Sequence, residues 1–194
     1  MTLQLVTPPV VEPVALPDAK AFLRVGTAAE DDLILQLIAS TRQRVEAEIG
    51  RALISRTYLE ALDRWDVPGR IAANGQQFRL LMPPLVSVSS VTVFDADGTG
   101  EVWNAANYFV DTQSDPGRIV PVSGGFPRPG REAAGIEIVF EAGYGPASDD
   151  VPEALREAVM RLAADAYLNR EGRTERPLPM AVQSLLAPFK RVRL

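Results

Sequence analysis

The stretch from Asp31 to Gly50, DDLILQLIASTRQRVEAEIG, constrains this chain more than any other. Ile34, Leu37, Ile38, Thr41, Val45 and Ile49 recur at steps of three and four, which places them on one stripe of a helix. Glu30, Asp31 and Asp32 lie where a helix start favours negative charge, and Gly50 stands just past the last apolar position. Such a helix is roughly 27 Å long at the standard rise, and its stripe must be buried against something. The matching pattern returns only at Pro152. There Leu155, Val159, Leu162, Ala163 and Ala166 form a second stripe, closed by Tyr167. Proline suits a first helical turn, Asp149, Asp150 and Glu153 suit its dipole, and the two alanines permit close approach of a partner helix.

Between these helices, from Leu53 to Tyr144, the period falls to two and turn residues recur. The pattern predicts strands over Ile54 to Leu59, Phe78 to Met82, Val88 to Phe94, Glu101 to Trp103, Tyr108 to Asp111, Arg118 to Val122 and Ile136 to Glu141. Asp97-Gly98 reads as a hairpin turn, and Pro83-Pro84, Asp115-Pro116-Gly117 and Pro127-Arg128-Pro129-Gly130 punctuate the rest. The fold class that follows is α+β: a small bundle of two long amphipathic helices and short terminal helices, with an antiparallel β-lobe inserted.

The flanks complete this division. Thr7-Pro8-Pro9 and Glu12-Pro13 bias residues 1–15 towards an extended arm instead of a packed element. A short helix is expected from Pro17, with Phe22 and Leu23 inward and Gly26-Thr27 breaking it. Another is expected around Met180, Val182, Leu185 and Leu186, stopped by Pro188. The helical core is therefore assigned to 16–52 and 150–187, the β-lobe to 53–149, and a basic tail to 188–194. From Arg170 onward six basic residues face only Glu171 and Glu175, a net +4, which leaves the rest of the chain at −9 given a total of −5.

That balance argues against a dedicated nucleic-acid binder, which is usually basic with clustered Lys and Arg. Zero cysteine removes disulfides, thiolate metal sites and cysteine nucleophiles, and zero histidine removes imidazole acid–base work and His-ligated metals. The opening MTLQLVTPPVVEP lacks a charged region and a long apolar core, so no signal peptide is read there, and no run approaches a membrane span. A soluble protein made inside the cell is the expectation, with no cofactor.

Candidate chemistry is sparse. Asp95-Ala96-Asp97-Gly98 opens like a calcium loop but lacks the later acidic ligands, so a hairpin turn is the better reading. Asp63 and Asp66 beside Trp65 have the residue types of a carboxylate hydrolase, but an exposed turn fits them better without a second motif. Gly98-Thr99-Gly100 and Gly143-Tyr144-Gly145 do not open a helix after a strand with phosphate-loop spacing. Ser87, Ser89 and Ser90 have no histidine to activate them. What needs a reason is an apolar arm, a basic tail on an acidic body, and few core helices for the length. Subunits of an assembly use such features to reach neighbours. Composition by itself does not separate this from a monomer with frayed ends.

The wording of the chain adds to this. Leu5-Val6-Thr7-Pro8-Pro9, Glu12-Pro13-Val14, Ala19 to Val25 and Gly50-Arg51-Ala52-Leu53-Ile54-Ser55-Arg56-Thr57 come first. Pro83-Pro84-Leu85-Val86-Ser87-Val88, Phe140 to Gly145, Asp150 to Arg156 and Leu185-Leu186-Ala187-Pro188-Phe189 follow. In this order they resemble phage head–tail connector (head-completion adaptor) proteins, in the larger version found in prophages and gene transfer agents. The resemblance implies a non-enzymatic protein at the head–tail junction. It implies a homo-oligomeric ring of twelve subunits under the portal protein, extending the DNA channel without gripping DNA and offering a platform to the next neck protein, with no membrane involved. By analogy Phe189, Lys190, Arg191, Val192, Arg193 and Leu194 are the candidate portal or neighbour interface, with the Leu3 to Val14 arm a second contact segment. A monomeric acidic module that mimics nucleic acid, and a hydrolase using Asp63 and Asp66, are the rival readings.

Overall fold

In the computed structural model residues 1–70, 77–169 and 177–190 are described. The chain is of mixed α+β class and divides into two compact units, Pro9–Ile54 with Tyr144–Leu194, and Met1–Pro8 with Ser55–Gly143.

The first unit is helical: α1 (Leu16–Leu23), α2 (Asp31–Ile49), α3 (Glu153–Leu168) and α4 (Met180–Leu186). Helix α2 begins behind Glu30 with Asp31 and Asp32 in its first turn, and ends on Gly50 in the left-handed region, φ 67°. A Cβ there would carry strain, so the glycine is required. Ile34, Ile38, Thr41, Val45 and Ile49 are buried, whereas Leu37 is half-buried. They pack with Leu155, Ala158, Val159, Leu162 and Ala163 of α3, and with Ala19, Val182 and Leu186, into one core. Two expectations fail here. Phe22 is 55% exposed, because α1 turns Ala19 to the core instead. The helix also stops before Gly26: Arg24 takes the left-handed conformation, φ 58°, and Val25 N–H donates to Lys20 O at 2.9 Å.

The second unit is all β: β1 (Thr2–Leu5), β2 (Arg56–Leu62), β3 (Phe78–Arg79), β4 (Leu85–Phe94), β5 (Gly100–Val102), β6 (Tyr108–Asp111), β7 (Arg118–Pro121) and β8 (Ile136–Ala142). Five strands form an antiparallel sheet in the order β1-β2-β8-β4-β5, and three form a second in the order β3-β7-β6. Inward positions alternate along β2 and β8, as a half-buried sheet demands: Tyr58 and Leu62 on one, Ile136, Ile138, Phe140 and Ala142 on the other. Aromatic side chains fill the interior, Trp65 stacking on Phe126 at 4.5 Å and meeting Phe78 edge-on at 5.2 Å. Gly117 is obligatory, since a Cβ there would lie 2.4 Å from that of Leu85.

The extended arm is the main departure from the sequence reading. Thr2–Leu5 does pack, pairing with β2 in the register Thr2↔Ala61 to Leu5↔Tyr58. Pro13 and Val14 are buried in the helical unit. The strand is half-buried only at Leu3, and the segment that follows it is open, with Val6 54%, Val10 92% and Val11 40% exposed.

Candidate interface segments

Two segments proposed as interfaces can be placed. The first is the C-terminal one, of which Phe189 and Lys190 are described, while Arg191, Val192, Arg193 and Leu194 lie outside the described residues. A single 3₁₀ turn, Ala187–Phe189, follows α4, as Pro188 favours. Phe189 packs partly buried against the helical core. Its carbonyl accepts from Arg51 Nε at 2.7 Å, and the Lys190 ammonium pairs with Glu48. These four groups fix the direction in which the chain leaves the end of α2.

The second segment, Leu3 to Val14, is anchored near its end by Glu12. Its carboxylate accepts from Arg42 Nε at 2.7 Å, and Arg42 Nη1 donates to Glu46 at 2.9 Å. Glu46 also accepts from Leu53 N–H at 2.9 Å. One buried arginine thus ties the incoming chain to α2, and its partner ties the turn after α2. The sequence reading passed over both charges. Their spacing, Arg then Glu four residues on, is the signal that marks them as a pair on one helix face. Upstream, β1 pairs with β2, with Val6 N–H donating to Thr57 O at 2.9 Å.

The hydrolase candidates are not brought into a catalytic arrangement. Asp63 accepts from Ala134 N–H at 2.9 Å, and that bond, with the nearby amino group of Met1, holds its carboxyl below the usual carboxylate range. A general acid needs the opposite shift. Asp66 pairs with Arg64 at 3.6 Å on the surface. Beside them lies a cleft of about 730 Å³ lined by Arg64, Asp66, Phe126, Arg128 and Arg131. Arg131 lies 4.2 Å over Phe94 of β4 and donates to Ala134 O. The Asp95-Asp97 stretch is the hairpin between β4 and β5: both carboxylates accept from Thr99 N–H at 2.9 Å. The hydrogen bond they share pushes Asp95 up and, with the Thr99 side chain, holds Asp97 at about 2. No group of acidic side chains able to hold a metal occurs among the described residues, and no described helix is long and apolar enough to cross a membrane.

No family model and no curated protein matches the chain. Solved structures do. The chain is similar to one in the neck of an empty GTA particle computed with C6 symmetry, at 27% identity and a TM-score of 0.84. It is similar to one in the virion of the native gene transfer agent (GTA) particle, at 26% and 0.83, and to one in the neck of the native GTA particle computed with C12 symmetry, at 27% and 0.78. Each match covers 100% of this chain and 97% of the other, so both units are included. On this likeness the chain is a structural component of the neck of a phage-like particle.

Proposed function

We propose that the chain is a head–tail adaptor: a ring, of twelve copies, seated under the portal protein, continuing the DNA channel and presenting a platform to the next neck protein. The observation that carries this is the full-length likeness to chains of particle necks computed with C6 and C12 symmetry. A cyclic assembly is built from head-to-tail interfaces, which need two different contact surfaces on each copy. The segment from Phe189 to Leu194 and the chain from Leu3 to Val14 are the two proposed. The protein acts structurally, without catalysis. The net charge of −5 favours passage of DNA over retention, since each phosphate neutralised by a cation strengthens binding.

Light scattering behind a sizing column, alone and with the cognate portal, tests the reading. The expected result is a ring-sized species in at least one condition, lost on deletion of residues 188–194. A 21.1 kDa monomer that ignores the portal overturns it and returns the monomeric acidic module.

A further inference from the structure

We propose that in the assembled ring β1 is exchanged: each copy lays its Thr2–Leu5 strand on β2 of the adjacent copy. The inference rests on the ring reading above and names the atoms that join its subunits. Four features of the strand and its connection carry it. Among the described residues the strand pairs with β2 alone, so its backbone seat is the edge of that strand. It belongs to the β unit, while Pro9 onward belongs to the helical unit, so one connection joins them. That connection is anchored at its far end by Glu12 on Arg42 and by buried Pro13 and Val14. Between the anchors, Thr7, Pro8, Val10 and Val11 are exposed and Pro9 is half-buried, with Val10 at 92% touching almost nothing.

Each of these favours a neighbour as recipient. Consecutive prolines favour extended geometry, and the five residues from Thr7 to Val11 span about 17 Å when extended, which gives β1 reach beyond the anchor at Glu12. A short hinge between two units is where exchange of an element arises. The seat requires an occupant, because Leu3 lies opposite buried Glu60 and Met1 Sδ accepts from Arg70, the partner of that carboxylate. The contacts are the same whichever copy supplies the strand, so exchange leaves the β unit unchanged. A given strand and a received strand are also different surfaces, the directional contact a closed ring needs and a two-fold dimer does not.

The chain has no cysteine, which makes the test direct. Gln4→Cys with Leu59→Cys, and separately Thr2→Cys with Ala61→Cys, place two thiols at register pairs of β1 and β2. Cα separations in such pairs suit a disulfide. Each variant is assembled reduced, shown by light scattering to form the ring, oxidised, and run on a non-reducing denaturing gel. Exchange gives covalent multimers that collapse to 21.1 kDa on reduction. A ring whose disulfides lie within single chains, or whose thiols stay free in both variants, overturns the exchange and leaves the ring standing. A sample that never forms a ring overturns both.

Discussion

Glu60 has no solvent-exposed surface, and its charge is met by Arg70, whose Nη2 donates at 2.8 Å. The same guanidinium donates twice to Arg79 O, at 2.8 and 2.6 Å, and lies 4.5 Å over Phe78. One ion pair therefore binds β3 to β2. Removing one partner of such a pair strands a buried charge, so Glu60→Ala is expected to cost about 3–5 kcal/mol. Glu60→Leu combined with Arg70→Met removes both charges and costs less, although Arg79 O loses its donor. Urea unfolding followed by Trp65 fluorescence checks this, and equal losses in the single and double variants would count against it. The sequence concealed this pair for a physical reason. Along β2 the inward residues are Arg56, Tyr58, Glu60 and Leu62, while Thr57, Leu59 and Ala61 face outward. Two charges on the inner face weaken the contrast that a period-two reading depends on.

At the scale of elements, the helical stripes were legible because tertiary burial and the 3.6 period agree over many residues. Ile34, Ile38 and Val45 on α2, and Leu155 and Val159 on α3, are all buried. The strands were legible less sharply. Irregularities in β4 between Leu85 and Ser87 and between Val88 and Ser90 shift its alternation, which is why its pattern reads only from Val88. β1 spans four residues, too few for a period to stand out against the prolines that follow it. The end of α1 was misread because Gly26 drew attention from Arg24, which holds φ 58° and ψ 37° despite its Cβ. A left-handed residue with a Cβ is strained by roughly 1–2 kcal/mol, part of which glycine gives back through its freer unfolded chain. Arg24→Gly is therefore expected to stabilise the helical unit by about 0.5–1 kcal/mol, measured as a higher thermal midpoint by circular dichroism. A lower midpoint would show that Arg24 makes a compensating contact.

For the molecule as a whole, the segments proposed as interfaces were legible only as anomalies, an apolar arm and a basic tail, because a single chain read alone has no second copy or partner against which to place them. The β unit adds a different point. Its two ends meet at one register pair, Arg56↔Ala142, and just outside them Tyr144 N–H donates to Leu53 O at 3.0 Å while Ile54 bridges Gly145. Once β2 and β8 are paired, the long insertion has closed its own loop. The entropy that a free loop of that length would charge against joining α2 to α3 has then been met inside the β unit. A chain lacking residues 1–8, with 57–141 replaced by a two-residue hairpin turn, is expected to melt cooperatively as a helical protein by circular dichroism. Loss of cooperative melting would mean that the β unit supplies more than closure. To the helices, a whole β unit is topologically no longer than a hairpin, which leaves its size and surface free to change without cost to the core that carries it.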